Sequence, residues 1–288
     1  MGKYKFSFVI LHYLGFDDTK ECIESILSNV EYDYYNIIVV DNGSNNGTGE
    51  NIKSRYLGNE KVHTIISEDN LGFAKGNNLG YKFAKYNLNS DFICLINNDT
   101  IINQKSFIKN IIKIYDDRYF DVLGPDIVSL IDKQHQNPQR IDNGIDKAWV
   151  RRWILRSYTL LTLNILGVED IIRKLKKKRN NSFIQNNNIN YKKEYKNIQL
   201  HGSCLIFSPN YVKKYEGLYN ETFMYMEEDI LFYICKRDGL KTLYSPHIKI
   251  YHKEDSSTDL LLKKGNLKRR FIYKNTIKSA KILKNLMN

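Results

Sequence analysis

The stretch DFICLINNDTI, residues 91–101, decides how the fold of this chain is interpreted. Residues 92–96 are all apolar, which predicts a strand buried on both faces of a sheet. The strand then ends on Asn97, Asn98, Asp99 and Thr100, with no glycine or proline to make an ordinary turn. A core strand that ends on a cluster of oxygen-bearing side chains raises the question of what those side chains bind.

Similar apolar runs alternate with helical patterns over the first 130 residues. We predict strands at 6–13, 36–41, 62–67, 91–97 and 121–128, the last bent at Gly124-Pro125, and helices at about 18–28, 50–56, 72–86 and 105–115. This alternation indicates an α/β fold with a mostly parallel central sheet flanked by helices. Such sheets bind ligands at the carboxyl ends of their strands, so the polar residues after the second and fourth strands are expected at one ligand-binding edge.

The alternation stops after residue 130. Residues 132–198 are polar and irregular around one helical candidate, at about 148–166, and we interpret them as an insertion in a domain spanning residues 1–257. The regular pattern resumes with strands at 200–208 and 241–252 and a helix at about 227–238. Residues 258–288 are predicted to form a basic helical C-terminal tail.

The net charge of +12 is concentrated in two segments. Residues 147–179 contribute +8 and residues 263–288 contribute +9, so the rest of the chain carries −5. The aromatic residues in these segments form no recognisable RNA-binding motif, which argues against nucleic acid as the partner. Trp149, Trp153 and Ile154 lie among arginines, and this pattern predicts peripheral binding to an anionic membrane surface.

The cysteines and the apolar runs indicate the compartment. Cys22, Cys94, Cys204 and Cys235 are far apart inside apolar runs, which favours reduced core residues over a disulfide framework or a zinc site. There is no run of 18 apolar residues and no signal-peptide cleavage site. We therefore expect a cytoplasmic protein, peripheral at the inner face of the plasma membrane.

Two polar runs at the predicted edge suit a nucleotide. The second strand ends on a carboxylate beside a glycine, which can accept hydrogen bonds from a base or ribose, although such residues are also common in plain turns. Residues 70–78 open a helix with two glycines and several amides, and a helix start favours an anion, although glycines also serve close packing. The candidates for nucleotide-sugar contact in these runs are Asp41, Asn42, Asn70, Gly72, Lys75, Asn77 and Asn78.

The cluster that ends the fourth strand suits a metal ion. Asp99 is the kind of oxygen ligand that a hard divalent cation takes, and such an ion needs only one or two protein carboxylates when phosphates supply other ligands. Asn97 and Asn98 can hydrogen-bond to sugar or ribose hydroxyls. The alternative interpretation is a turn rich in Asn and Asp.

An acidic run, Glu227-Glu228-Asp229, follows the four apolar residues 223–226. A carboxylate at an apolar pocket wall is suited to general-base chemistry. The alternative is that these acids simply complement the dipole of a helix start. His201 and His252 are candidates for a pocket residue and a metal ligand, or else structural histidines.

Six segments together resemble one known family. VVDNGS, NLGFAKGNNLG, INNDT, HGSCLIF, FMYMEEDI and YHKEDSS occur in the order and spacing of family 2 glycosyltransferases, especially rhamnosyltransferase-like bacterial members, over about residues 5–257. The resemblance implies a GT-A fold, a nucleotide-sugar donor, a divalent cation (Mn²⁺ or Mg²⁺) and an inverting reaction.

The same resemblance implies roles for individual residues. Asp41 would contact the nucleotide base, and residues 70–78 the nucleotide and sugar. Asn97 would lie near the ribose, Asp99 would hold the metal, and His252 matches a position that ligates metal in some members. His201 and Gly202, in the segment HGSCLIF, are further candidates for donor contact.

The chain departs from the family pattern at two places. The first carboxylate of the metal motif is replaced by Asn97, which puts strong metal binding in doubt. The acidic motif usually reads Glu-Asp, whereas here an ungapped match places Glu228 on the aspartate position and Asp229 is chemically closer. The base is therefore Glu228 or Asp229, with Asp229 slightly preferred, and Glu227 is expected to matter least.

The expected function is an inverting, metal-dependent transfer of rhamnose or a hexose in polysaccharide biosynthesis. The donor would be dTDP-rhamnose or a UDP-hexose, and the acceptor a hydroxyl of a cell-surface glycan or a lipid-linked molecule. A non-catalytic nucleic-acid-binding protein is one alternative. A sugar-nucleotide nucleotidyltransferase is another, but it would normally show a glycine- and arginine-rich phosphate loop near the amino terminus, where this chain has VILHYLGFDD.

Overall fold

The computed structural model describes residues 4–138, 145–173, 189–254 and 265–288. The strands are β1 (Phe6–His12), β2 (Tyr35–Asn42), β3 (Val62–Ser67), β4 (Phe92–Asn97), β5 (Thr100–Ile101), β6 (Val122–Ser129), β7 (Tyr195–Lys196), β8 (Cys204–Phe207) and β9 (Thr242–His252). The helices are α1 (Phe16–Asn29), α2 (Thr48–Arg55), α3 (Phe73–Tyr86), α4 (Phe107–Arg118), α5 (Lys147–Ile165), α6 (Pro209–Lys214), α7 (Glu227–Arg237) and α8 (Gly265–Leu286).

The described strands form one open mixed sheet in the order β3-β2-β1-β4-β8-β6-β9-β5, with β7 paired to β9. β3, β2, β1 and β4 are parallel to one another, and β6 is parallel to β9. β8 is antiparallel to both of its neighbours, so it joins two parallel blocks. The predicted α/β fold with a mostly parallel central sheet is confirmed, and the antiparallel β8 matters because its beginning lies at the carboxyl end of β4.

Apolar side chains cover both faces of the sheet. On one face Ile23, Ile52 and Phe107 from α1, α2 and α4 pack on the strands. On the other face Tyr81 and Leu231 from α3 and α7 pack on them. Residues 92–96 of β4 are buried throughout, as the apolar run predicts. All four cysteines are buried and free.

The predicted bend in β6 is a shift in its pairing with β9. Pro125 pairs with Ser245, whereas the next residue, Asp126, pairs with Lys249. The shift is a bulge in β9, and it allows the end of β9 to reach β5, where Thr100 pairs with His252. This pairing brings His252 to the end of β4.

The last helix packs against the insertion and against α7. Val150 of α5, Ile230 of α7 and Leu283 of α8 belong to one buried apolar cluster. The segment predicted as a basic tail is therefore part of the packed structure over residues 265–288, because its apolar face covers α5 and α7 while Lys274, Lys278 and Lys281 are exposed. In the part of the chain that the structure describes, no helix has the length and apolar character needed to cross a membrane.

Candidate active site

A cavity of about 510 Å³ opens at the carboxyl ends of β1, β2 and β4. Strand pairing brings polar residues together there, since Leu11 lies opposite Asn97 and His12 lies opposite Asp41. The lining residues come from strand ends, from the residues before β8, from the segment before α7, and from α8: Leu11, Tyr13, Asn42, Asn70, Phe73, Asn97, Asn98, Asp99, His201, Gly202, Ser203, Phe223, Met224, Tyr225, Met226, Glu227, Glu228 and Phe271.

The turn that follows β4 contains no glycine and is stabilised by side-chain hydrogen bonds. The Thr100 hydroxyl donates to the carbonyl of Asn97 over 2.7 Å. The Asn98 side-chain amide donates to the Thr19 hydroxyl over 3.0 Å, which anchors the turn to α1. Asp99 is only 5% exposed and lies on the cavity wall. The turn therefore presents a buried carboxylate whose position is fixed from both sides.

Asp99 and His252 form a pair whose chemistry fits a cation. His252 Nε2 lies 3.1 Å from Asp99 Oδ1, and His252 Nδ1 lies 2.8 Å from Gln136 Oε1. The Gln136 amide nitrogen donates to Glu254 over 2.7 Å, so its oxygen faces His252 and accepts the Nδ1 proton. In the neutral ring Nε2 then has a lone pair that points at a carboxylate oxygen, an arrangement that a divalent cation between them would satisfy.

Asp99 and His252 could supply only part of the coordination shell of a metal ion. Among the described residues, no group of three or more His, Cys, Asp and Glu side chains is arranged to hold a metal ion. One carboxylate and one imidazole suit an ion that takes its other ligands from water and from a diphosphate. The pair fits a substrate-dependent cation site and does not resemble a closed structural site.

Asn42 holds the turn that leads into α3. Its side chain donates to Asn70 Oδ1 over 3.1 Å and to the Gly72 carbonyl over 3.2 Å, and it accepts from the Leu71 backbone over 3.0 Å. Gly72 has a φ of +81°, and a Cβ there would lie 2.1 Å from the Phe223 carbonyl oxygen. The Phe73 N–H donates to that same oxygen over 2.7 Å, so one of the N–H groups at the start of α3 is already used within the protein.

Five of the predicted donor-binding residues lie outside the cavity lining, and one of them is Gly72, directly before α3. The Asp41 carboxylate is 5% exposed and accepts hydrogen bonds from the backbone and hydroxyl of Ser44. Asn77 donates to the Phe73 carbonyl over 3.0 Å. Asn78 exchanges two hydrogen bonds with the Leu218 backbone, of 2.7 and 2.8 Å. Lys75 is exposed on the outer side of α3. The predicted residues that do line the cavity are Asn42, Asn70, Asn97, Asn98, Asp99, His201, Gly202 and Glu228.

His201 and Gly202 reach the cavity because β8 runs antiparallel to β4. His201 Nδ1 accepts from the Ser203 backbone over 3.1 Å, so the ring proton of the neutral form is on Nε2. Burial, together with the charge of His252, lowers the pKa of His201 to about 4. His201 is therefore a neutral hydrogen-bond donor at physiological pH.

Glu228 is one of two carboxylates that the start of α7 brings to the cavity wall. Its Oε1 accepts from the Gly202 N–H over 3.1 Å, and a Cβ on Gly202 would lie 2.7 Å from that oxygen. Burial raises the pKa of Glu228, while the backbone hydrogen bonds oppose the rise. Asp229 does not line the cavity, and one of its oxygens accepts from Gln199 over 3.2 Å.

This geometry favours Glu228 over Asp229 as the candidate base, although the sequence analysis slightly preferred Asp229. Glu228 lines the cavity, whereas Asp229, one residue and about 100° further round the helix, does not. Glu227, expected to matter least, also lines the cavity and accepts from the Thr222 hydroxyl over 3.0 Å. Burial and the neighbouring charge of Glu228 raise the pKa of Glu227 to about 8.

The backbone before these carboxylates is strained. Tyr225 and Met226 have φ values of +71° and +69°, a conformation that is uncommon for residues other than glycine. Such strain occurs where the surrounding structure holds a functional segment in place. Here it turns the chain so that α7 begins with Glu227 and Glu228 at the cavity.

The sequence analysis missed several lining residues. Tyr13 directly follows β1, and the rule that places ligands at strand ends could have identified it. Phe73 and Ser203 are neighbours of residues that were selected. Phe271 lies on α8, and no local pattern in the sequence indicates that this helix reaches the cavity.

The chain matches the family model described as glycosyl transferase family 2 over residues 7–215. The chain belongs to this family. Glycosyltransferase family 2 members are enzymes, so the cavity that Asp99, Glu227 and Glu228 line is the candidate active site of a glycosyltransferase.

Two curated relatives agree with this assignment. The low-salt glycan biosynthesis hexosyltransferase Agl10 of Haloferax volcanii is 22% identical over 283 residues, which are 96% of this chain and 77% of Agl10. The glycosyltransferase GlyG of Streptococcus pneumoniae is 30% identical over 84 residues, which are 29% of this chain and 26% of GlyG.

Solved structures share the fold. The crystal structure of residues 1–349 of S. aureus TarS in complex with UDP superposes with a TM-score of 0.54 at 16% identity, covering 96% of this chain and 65% of the TarS chain. The structure of the same TarS fragment without UDP gives a TM-score of 0.54 at 16% identity, covering 86% of this chain and 60% of that chain. The chain thus spans less than two thirds of these TarS chains, and the predicted GT-A fold is confirmed.

Proposed function

We propose that this glycosyltransferase moves a sugar from a nucleoside-diphosphate donor to an acceptor hydroxyl with inversion, and that Glu228 is the base. The observation that carries the proposal is that one cavity is lined by Asp99, which pairs with His252, and by a half-buried carboxylate, Glu228, held by the Gly202 N–H. A UDP-hexose or dTDP-rhamnose is the proposed donor. TarS crystallises with UDP and Agl10 is named a hexosyltransferase, which supports the first of these.

In the proposed reaction, Glu228 acts as the base and the nucleoside diphosphate is the leaving group. Glu228 takes the proton of the acceptor hydroxyl, whose oxygen attacks the anomeric carbon on the face opposite the diphosphate. The bond from that carbon to the diphosphate oxygen breaks, and its electron pair leaves with the nucleoside diphosphate. Burial raises the pKa of Glu228, so its deprotonated form is a stronger base than a solvated carboxylate. The neutral His201 ring can donate a hydrogen bond to the donor.

Asp99 and His252 are the proposed ligands of Mn²⁺ or Mg²⁺. When bound, such an ion would offset the negative charge that develops on the leaving diphosphate. Gln136 orients the imidazole through the hydrogen bond to Nδ1.

A donor panel tests the proposal. Release of nucleoside diphosphate is measured with UDP-glucose, UDP-galactose, UDP-N-acetylglucosamine and dTDP-rhamnose, each with Mn²⁺, Mg²⁺ or EDTA. We expect one donor to be hydrolysed or transferred at a rate that Glu228→Gln lowers strongly, and NMR of the product should show the inverted anomer. No release from any donor above the rate of Glu228→Gln would overturn the proposal.

The insertion supports a second proposal, that the enzyme binds peripherally to an anionic membrane. On and after α5, Leu155 is 69% exposed, Leu166 67% and Ile171 60%. Arg151, Arg152 and Arg156 are exposed on the same helix, and Arg156 stacks on Trp153 at 5.1 Å. Exposed apolar residues beside arginines suit an anionic lipid surface, where each basic residue contributes about 1 kcal/mol at low salt.

Liposome flotation tests this second proposal. We expect the protein to float with vesicles that contain phosphatidylglycerol at low salt, and to float less with pure phosphatidylcholine or at high salt. Leu155→Asp and Leu166→Asp should weaken flotation. Leu57→Asp is the matched control, because Leu57 is 84% exposed after α2, outside the insertion. Equal flotation with neutral and anionic vesicles, or none with either, would contradict the proposal.

A further inference from the structure

Phe271 joins the cavity from the end of the chain. Its ring centroid lies 6.4 Å from that of Phe223 and 6.3 Å from that of Tyr225, and the ring planes meet at 79° and 74°. These are edge-to-face contacts, which favour a defined arrangement of rings over a loose cluster. All three rings line the cavity together with Glu228, so an aromatic wall lies beside the proposed base.

The position of Phe271 is fixed by the packing of α8. The Ser279 hydroxyl donates to the Met224 carbonyl over 3.1 Å, which ties α8 to the segment before the acidic run. The Tyr233 hydroxyl of α7 donates to the Leu286 carbonyl over 3.0 Å. Ala280 and Leu283 pack in one cluster with Met226 and Ile230. The helix that carries Phe271 is thus held against the helix that carries Glu228 at several points.

We propose that Phe271, with Phe223 and Tyr225, is the surface on which the ring of an acceptor sugar rests, so that the acceptor of this enzyme is a pyranoside. This inference rests on the proposed function. A pyranose has a face of C–H groups and a rim of hydroxyls. The aromatic wall suits the face, and the adjacent carboxyl groups of Glu227 and Glu228 suit the rim. Phe223 is 38% exposed, so the wall extends to the surface, where a longer glycan can leave the cavity.

The carboxyl groups also argue against other acceptors. A polyol phosphate would bring its negative charge close to the Glu228 carboxylate. A simple aliphatic alcohol would contact the rings but would leave the hydrogen-bonding capacity of Glu227 unused. A sugar ring can contact the aromatic rings through its C–H face and the carboxyl groups through its hydroxyls. One of those hydroxyls supplies the proton that Glu228 accepts.

Phe271 is the residue to test because its backbone lies outside the rest of the site. The Phe223 ring packs against Gly72, directly before α3, so removing that ring would also disturb the start of α3. Phe271→Ala removes the ring, and Phe271→Trp keeps an aromatic surface. Leu267→Ala is a matched control on the same helix, because Leu267 is 48% exposed and does not line the cavity.

The first measurement compares acceptor classes with the full chain and whichever donor of the panel is hydrolysed. Octyl glucoside, octyl galactoside and octyl rhamnoside are compared with octanol and glycerol 3-phosphate as acceptors. We expect at least one octyl glycoside to raise nucleoside diphosphate release above donor hydrolysis, with a new disaccharide as product. If no glycoside does so, or if octanol or glycerol 3-phosphate works as well, the pyranoside proposal is overturned. Persistent donor hydrolysis in that experiment would leave the proposed function intact.

The second measurement uses the variants. Phe271→Ala should lower the ratio of transfer to donor hydrolysis by about tenfold or more through a higher KM for the glycoside, whereas Phe271→Trp and Leu267→Ala should stay within about threefold of wild type. Thermal melting confirms that each variant is folded. If Phe271→Ala lowers hydrolysis and transfer by the same factor, or leaves both unchanged, the aromatic wall does not bind the acceptor.

Discussion

Two groups of side chains line the cavity, and they are held in place differently. One group lies at the ends of the parallel strands, and the other lies on α7 and α8. Asn42 and Asn97 are the last residues of β2 and β4, and Asp99 follows β4, so the pairing register of these strands fixes where all three lie. Their side chains then bond to nearby turns, as Asn42 does with Leu71. We call these residues the strand-end group.

The second group is Glu227, Glu228 and Phe271, which we call the α7–α8 group. It depends on two residues with positive φ, on the absence of a side chain at Gly202, and on packing between helices. Burial perturbs its carboxyl groups, and the pKa of Glu227 rises to about 8. The comparison suggests a division of labour in which the strand-end group binds the donor and the α7–α8 group acts on the acceptor. The predictions below test that division.

The largest effect is expected at Glu228. Glu228→Gln should slow transfer by about 10²–10⁴-fold, or about 3–5 kcal/mol of barrier, because the acceptor hydroxyl loses its base. Calorimetric binding of UDP or dTDP should change by less than about twofold, since the strand-end group is intact. Asp229→Asn is the matched control and should keep transfer within about threefold of wild type. If Asp229→Asn slows transfer as much as Glu228→Gln does, the assignment of Glu228 as the base is contradicted and Asp229 is again a candidate.

A smaller loss, on the order of 10²-fold, is expected from Asp99→Ala, because this change removes the proposed carboxylate ligand of the cation. The variant should also lose any thermal stabilisation that wild type gains from MnCl₂ with UDP, which is a readout independent of turnover. His252→Ala should have a milder effect, about tenfold in cation affinity. Asp126→Ala is the matched control, because Asp126 is 5% exposed and its Oδ1 lies 2.6 Å from Nδ1 of a half-buried His135, in a second Asp–His pair outside the cavity lining. An equal MnCl₂ shift in wild type and Asp99→Ala would remove the metal assignment.

The strand-end group could be predicted from the sequence because strands that alternate with helices dictate a parallel sheet, and a parallel sheet aligns its carboxyl ends. That rule places Asn42 and Asp99 at one edge without any knowledge of side-chain contacts. It cannot show how each polar side chain is used. Asn78 looks like a ligand residue in the sequence, but it bonds to Leu218, which lies 140 residues away in the chain.

The α7–α8 group could be predicted only in part. The acidic run was visible, but the choice between Glu228 and Asp229 depends on where α7 begins, because one residue rotates a side chain by about 100°. The start of α7 is set by the backbone of Tyr225 and Met226, neither of which is a typical residue for positive φ. Phe271 reaches the cavity through helix packing over a long sequence separation, and a basic helical pattern gives no information about that contact.

Gly202 offers a way to move Glu228 without changing its chemistry. In Gly202→Ala the new methyl group would lie 2.7 Å from Glu228 Oε1, so the carboxylate must shift. We expect turnover to fall about tenfold, while UDP binding changes little. Gly72→Ala is the informative comparison, because Gly72 joins the strand-end group to Phe223 and its substitution should impair donor binding as well. If both variants weaken UDP binding equally, the two groups do not act separately.

The smallest effect concerns the stability of the α7–α8 group as pH changes. The pKa of Glu227 is raised to about 8 in the folded protein by burial and by the charge of Glu228, whereas in the unfolded chain it has the ordinary glutamate value. Between about pH 4.5 and pH 8 the folded protein keeps a proton that the unfolded chain has released, so stability falls as pH rises through this window and the loss is complete above it.

Glu227→Gln has nearly the same shape and stays neutral, so it should melt a few °C higher than wild type at pH 8.5 and close to wild type at pH 5, a difference of about 1–3 kcal/mol. Glu60→Gln, at an exposed glutamate, is the matched control and should follow the wild-type profile at both pH values. If the melting temperatures of Glu227→Gln and wild type differ by the same amount at pH 5 and pH 8.5, Glu227 does not keep its proton in the folded enzyme. It would then be a second charged group beside Glu228, and not the neutral partner that an acceptor hydroxyl could bond.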